Sequence, residues 1–254
     1  MRGFARIQIV FGAAILLLGA RAVQGAELRV LAPTTIRPVI GALSSQFENT
    51  TGYKIVIAYD VAPVVKRQIE SGAAFDLVIV TRSLMEDLIK QGKIAAETRS
   101  DISRAGAGVA VRIGAARPNI GSAEALKHTL LNAKSIAYAA EGTTGVYFLN
   151  LLDRLGIAAE TKPKLKPMGG GAVLAPLVSG EADLAIATMP LIVEERRVQL
   201  AGAVPPELQN YIVFTAGVGS AAKEVDAAKS FIKLLTAPTS VQAIKASGFD
   251  PVTP

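Results

Sequence analysis

The sequence predicts an α/β fold divided into two facing lobes. Three observations predict it. Apolar, strand-like runs alternate with helix-period stretches along most of the chain. No low-complexity linker interrupts the alternation, so any division into lobes must be made by strands that cross between them. A turn-and-strand segment also occurs twice, once in each half.

The first strand is predicted over 27–32, followed by a turn at Pro33-Thr34-Thr35. A helix follows over 37–47, where the spacing of Ile40, Leu43 and Phe47 places them on one face. Residues 54–59 (KIVIAY) form the next strand, and 62–71 a helix stopped by Gly72. The apolar run 77–80 has the character of a buried strand, and 84–91 is a helix closed by Gly92. Beyond Gly106, strands are expected at 109–111, 135–139, 164–168, 184–187 and 211–216. Helices are expected at 122–132 (capped by Ser122), 144–155, 172–179, 225–235 and 239–247. Such alternation implies mostly parallel sheets with helices on both faces. The crossings are placed near 106–111 and 211–218. Residues 27–108 with 217–254 then form lobe I, and 109–216 form lobe II.

The repeated segment is Glu70-Ser-Gly-Ala-Ala-Phe-Asp-Leu-Val-Ile-Val80 against Val178-Ser-Gly-Glu-Ala-Asp-Leu-Ala-Ile-Ala187. In both, Ser-Gly ends a helix and an Asp (Asp76, Asp183) opens an apolar strand. Glycine takes the left-handed conformation at a helix end, and Asp accepts backbone hydrogen bonds in a turn. Any helix-to-strand turn could look this way. Two copies in different lobes point to two similar units facing each other across a cleft.

The N-terminus reads as an export signal over 1–26. Arg2 and Arg6 precede an apolar run at 7–18, and small residues follow at 22–26. The apolar run is shorter than the roughly 20 residues that span a bilayer. The mature protein is therefore expected in the periplasm. The chain has no cysteine, which excludes disulfides and thiolate chemistry. His128 is the single histidine, and it lies among leucines as a structural residue, so histidine-based zinc sites and Ser-His-Asp hydrolysis are not expected. No cofactor or metal is expected. Removing Arg2, Arg6 and Arg21 lowers the formal charge from +6 to +3. Aromatics make up 5% and basic residues are scattered, which argues against nucleic acid. A mild positive field favours a small anion.

Ligands of open α/β sheets sit where strands end and helices begin, and helix N-termini suit anions. Three loops qualify: Pro33-Thr34-Thr35 with Arg37 just beyond, Glu141-Gly142-Thr143-Thr144-Gly145, and Pro167-Met168-Gly169-Gly170-Gly171. Each taken alone is also an ordinary helix cap. Arg37 is either a bidentate partner for a carboxylate or a solvated helix residue. Lys66 and Arg67, and the run Glu194-Glu195-Arg196-Arg197, are assigned to solvated faces. Tyr59 and Asp60 end a strand facing the cleft, where Asp60 would repel an anion.

Several pieces in order, namely 28–35, RQIESGAAFDLVI from Arg67, TGVYF from Thr144, VSGEADLAI from Val178 and the closing Gly248-Phe249, carry a resemblance to the molybdate-binding family of ABC-transporter periplasmic proteins. It implies a type II periplasmic-binding-protein fold, a monomer with two hinge-crossing strands, and a membrane permease as partner. It also implies an oxyanion held by hydroxyls and backbone N–H groups at Thr35, Ala62, Thr144, Gly171 and Thr188. This chain departs from the family at three of these: Thr35 and Ala62 replace serines, and Thr188 replaces a tyrosine. An oxyanion that loses a hydroxyl donor leaves an acceptor unpaired, at about 1–3 kcal/mol. Arg37 makes a small carboxylate an alternative ligand. Some relatives resemble isomerases that interconvert cis- and trans-aconitate. In that reading Arg37 and Thr144 hold the substrate, and Glu141 or Asp60 moves a proton.

Overall fold

A computed structural model of the chain describes residues 26–140 and 143–252. The export-signal expectation and Glu141 thus lie outside the described residues, Ala26 excepted. No described helix is long and apolar enough to cross a membrane.

The first unit opens with β1 (Glu27–Pro33), a short 3-10 turn, α1 (Arg37–Thr51), β2 (Lys54–Asp60), α2 (Ala62–Glu70), β3 (Leu77–Thr81) and α3 (Arg82–Lys90). After β4 (Ser100–Ala105) the chain enters the second unit. That unit holds β5 (Ala107–Arg112), α4 (Ala123–Asn132), β6 (Ile136–Ala139), α5 (Thr143–Arg154), α6 (Ala158–Thr161), β7 (Leu165–Met168), α7 (Ala175–Ser179), β8 (Leu184–Thr188), α8 (Met189–Glu194) and β9 (Val198–Ala203). The chain returns through β10 (Ile212–Val218), α9 (Val225–Leu235), α10 (Val241–Ala246) and β11 (Asp250–Pro251).

Two sheets result, in the orders β11-β4-β10-β3-β1-β2 and β7-β6-β8-β5-β9. Side chains alternate across each strand and feed a core on both faces. In β3, Leu77 and Ile79 pack with α1 and α9, while Val78 and Val80 pack under α2 and α3. In β8, Leu184 and Ile186 pack with α4 and α5, while Ala185 and Ala187 face α7 and α8. Burial on both faces explains why these strands read as unbroken apolar runs.

The structure corrects two expectations. The sheets are mixed, not mostly parallel. Parallel triplets (β2-β1-β3 and β7-β6-β8) are each extended by antiparallel neighbours. Those neighbours are β10 beside β3 and β5 beside β8, the strands that arrive from the other lobe. The lobe boundaries also move. Ala107 and Gly108 pair in the five-stranded sheet, and 212–216 pair in the six-stranded sheet. The chain therefore changes sheets at Gly106 and between Ala203 and Ile212. The charged run 194–197 is largely exposed, as expected of a solvated face. It is the turn from α8 into β9, where Arg197 forks onto Glu195 at 2.8 and 2.7 Å. That fork holds the Glu195 carboxyl down at about 2.

The Ser122 cap is present, accepting from the Ala125 N–H at 3.2 Å. Lys66 pairs with Asp87 at 3.0 Å on the surface between α2 and α3.

Candidate functional site

From β1 in the first unit and from β6 in the second, the short α6 apart, the order is strand, helix, strand, helix, strand, helix. The first helices (α1, α5), the second helical segments (α2, and a 3-10 turn over Gly170–Leu174 leading into α7) and the third helices (α3, α8) thus correspond. This correspondence sorts the predicted site. Thr34 and Thr35 enter α1 as Thr143 and Thr144 begin α5. Ala62 begins α2 as Gly171 lies in the 3-10 turn. Thr188 immediately precedes α8, and its counterpart in lobe I is Thr81, immediately preceding α3. Thr81 was not foreseen, although the repeat DLVIVT and DLAIAT carries it in the sixth place.

The predicted residues fall into two groups. In lobe I, the Thr34 hydroxyl points to the Asp60 carbonyl at 3.5 Å, across the ends of β1 and β2. Arg37 lies over the Tyr59 ring, 4.8 Å from its centroid. Burial raises the pKa of the Tyr59 hydroxyl, against the opposing pull of Arg37. Asp60 turns toward the start of α2: its carboxylate accepts from Val61 N–H at 2.8 Å and Gln68 Nε2 at 3.5 Å. A negative charge already occupies that helix entry, and Ala62 offers only backbone there.

The second group sits between the lobes. Thr144 and Thr188 line one narrow crevice with Gly106, Tyr147, Asn210 and Ile212. Its volume is about 10 Å³, near that of one probe-sized water. Thr188 occupies the N-cap position of α8 without making a capping hydrogen bond, so its hydroxyl is free to face the crevice. Tyr147 lies one turn beyond Thr144 on α5, and its hydroxyl donates to the Leu208 carbonyl at 2.6 Å. Burial pushes the Tyr147 pKa up to about 12, with Arg154 opposing, so the group keeps its proton. A neighbouring hollow of about 370 Å³ shares Asn210 and Ile212 with the crevice and adds Thr81, Arg82 and Ser83. No hydrogen bond or ion pair joins the two groups among the described residues.

Gly145 explains itself sterically. A Cβ there would overlap the carbonyl oxygen of Ala139, so glycine lets the start of α5 lie against the end of β6. Thr143 is the first residue of α5, and Gly170 and Gly171 lie in the 3-10 turn before α7. His128 lies exposed on α4, beside Asn132 and away from the crevice. No cluster of three or more His, Cys, Asp or Glu is placed to hold a metal among the described residues.

Two larger hollows, about 650 and 540 Å³, lie at the opposite ends of the lobes. The first contains Glu27, Arg29 and Asp76, and the second Asp183 and Leu184, all at the entering ends of β1, β3 and β8. Size alone would favour them. Ligands of open α/β sheets bind at the exiting ends, which favours the crevice.

Tyr147, Gln209 and Asn210 were not among the residues expected from the sequence. The three-residue spacing from Thr144 to Tyr147 on one helix face could have flagged the tyrosine. Nothing local marks Gln209 or Asn210, which meet the first crossing only through the fold.

Comparisons with known proteins bear on the family and the fold. A family model described as bacterial extracellular solute-binding protein matches residues 28–250. An aconitate isomerase from Pseudomonas sp is 26% identical over 231 residues, spanning 89% of this chain and 88% of that protein. The molybdate-binding protein ModA of Azotobacter vinelandii is 26% identical over 253 residues, spanning 96% of each. Among solved structures, the substrate-binding domain of a molybdenum ABC transporter from Clostridium difficile superposes with a TM-score of 0.79 at 22% identity, covering 89% of this chain and 99% of that one.

Proposed function

The chain belongs to the bacterial extracellular solute-binding protein family, and we propose that it captures a small anion between its two lobes for an ABC permease. The observation that carries the reading is the inter-lobe crevice. There Thr144, at the start of α5, and Thr188, at the end of β8, meet beside the crossing strands. Hydroxyls and helix N-termini at strand exits suit an anion without a metal. The exported, periplasmic location belongs to the same reading, supported by the pattern over 1–26 and by the family.

Arg37 sets the choice between oxyanion and carboxylate. Its guanidinium is exposed and makes no ion pair among the described residues, so it is available to a carboxylate. Melting curves with molybdate, tungstate, sulfate, citrate and the two aconitates test the reading. A ligand at a hundred times its Kd stabilises the folded state by about 2.7 kcal/mol. No shift with any of these anions would overturn the anion site. Arg37→Ala is expected to weaken a carboxylate ligand by about tenfold or more and leave an inorganic oxyanion unaffected.

A second reading is isomerisation of aconitate, favoured by the relative from Pseudomonas sp. It needs a base, and Asp60 already accepts from Val61 and Gln68. Incubation with cis-aconitate at high protein concentration decides: an unchanged isomer ratio over hours removes this reading.

A further inference from the structure

Gln209 fastens together the two segments that pass between the lobes. Its Oε1 accepts from the Ala107 N–H at 2.8 Å and the Asn210 N–H at 3.2 Å. Its Nε2 donates to the Ala107 carbonyl at 2.9 Å and the Val204 carbonyl at 3.1 Å. A primary amide has two donor hydrogens and two acceptor lone pairs. All four are spent here on backbone of the two crossings. Gly106 lies directly against the amide: a Cβ there would stand 2.9 Å from Nε2.

The remainder of the second crossing is tied to the same lobe. Val204 N–H donates to the Ala107 carbonyl at 3.0 Å, and the Glu207 carboxylate accepts from Ala123 N–H at 3.2 Å. Tyr147 on α5 holds the Leu208 carbonyl. Beyond Gln209 come Asn210 and Tyr211, and then β10 of the other sheet.

We propose that Gln209 is a pin that makes residues 204–209 a rigid part of lobe II and confines inter-lobe bending to Gly106 and the Asn210–Tyr211 step. Hinges work through a few residues that absorb the dihedral change. The pin keeps them few. Because α5 carries both Thr144 and Tyr147, the pinned segment and the ligand-facing helix move as one body. Gln209 is a positioning residue. The proposal rests on the crossing geometry and not on the identity of the ligand.

The test uses ligand-free protein. The chain has no cysteine, so Lys90→Cys and Glu160→Cys place one spin label on each lobe without interference. Gln209→Met keeps the bulk and removes all four hydrogen bonds. The inter-lobe distance distribution by pulsed electron resonance is expected to broaden in Gln209→Met. Hydrogen exchange at the Ala107 amide is expected to rise about tenfold, the effect of losing its single partner. Faster exchange with an unchanged distribution would overturn the hinge assignment, as would no change in either. Tyr147→Phe removes a second fastening, with a smaller broadening expected. Should neither variant fold, the wild-type chain decides: an Ala107 amide that exchanges much faster than Val109 in the interior of β5 would overturn the pin.

Discussion

The order β2-β1-β3-β10-β4 in one sheet repeats, element for element, as β7-β6-β8-β5-β9 in the other. In each sheet the strand that follows a crossing, β10 or β5, runs antiparallel beside the parallel triplet. The repeated Asp shows where the likeness stops. In lobe I, Asp76 is buried and accepts three backbone N–H groups: Arg29 at 3.0 Å, Lys223 at 2.8 Å and Glu224 at 3.1 Å. In lobe II, Asp183 is exposed and accepts one, Lys134 at 2.7 Å. Both reach the strand next to their own, β1 in one case and the approach to β6 in the other. Only Asp76 also holds the returning chain ahead of α9. The same turn serves two purposes because lobe I must anchor the C-terminal segment and lobe II has none to anchor.

The covering layers differ in the same way. Val78 and Val80 lie under two nine-residue helices, whereas Ala185 and Ala187 face α7 of five residues and α8 of six. Smaller side chains match shorter cover. Lobe II therefore has a thinner core on the face behind Thr188.

The comparison can be broken most forcefully at Gly145. The corresponding entry to α1 has no glycine, but at Gly145 a methyl group would collide with fixed backbone. Gly145→Ala is expected to cost about 3 kcal/mol, at the top of the usual range for overpacking, and to abolish anion binding. Urea denaturation with a parallel binding titration measures both. A variant of unchanged stability would show that α5 has room to move.

The paired aspartates give the next effect. Asp76→Ala strands three N–H groups and should destabilise by about 3 kcal/mol, while Asp183→Ala should cost about 1 kcal/mol. Equal losses in denaturant midpoint would erase the distinction between the two turns.

The smallest effect is in the acid range and is read at Asp101 in lobe I. Burial of Asp101 would raise its pKa, but the Arg82 and Thr215 hydrogen bonds outweigh it, and the net shift is downward. A carboxyl whose folded pKa is lowered contributes stability above its unfolded value and loses it as pH falls through the folded one. Acid should therefore loosen the link among α3, β4 and β10 from about pH 4 downward. Asp101→Asn should flatten that dependence. The corresponding strand β9 carries no carboxylate; in lobe II the lowered carboxyl is Glu195, partly exposed in the turn before it. Hydrogen exchange in β4 that does not rise on acidification, followed residue by residue, would contradict this.

Much of the fold was legible because buried strands and amphipathic helices each carry a period. β3 and β8 are continuous apolar runs, and α1 repeats its buried residues Ile40, Leu43 and Phe47 at helical spacing. β4 (SDISRA) and β9 (VQLAGA) escaped notice. Both are short on bulky apolar residues: β4 has three buried positions, and β9 lies half-buried at a sheet edge. α8 was hidden by the charged run that follows it. The candidate site was legible as loops, since threonine and glycine at helix entries have a local reason. Which loops meet was not legible. Thr144 and Thr188 converge on one crevice, while Thr34 and Arg37 form a separate group at the ends of β1 and β2.

The sequence by itself determined the alternation of elements, the duplicated helix–turn–strand segment and the kind of groups placed at the helix entries. Each of these depends on neighbours within a few residues. Tertiary structure alone decided that the crossings fall at Gly106 and after Ala203, that the arriving strands run antiparallel, and that Gln209 bonds to Ala107. Those contacts join residues about a hundred positions apart, and no local period encodes them. They are set by which sheet edge a strand can bury itself against.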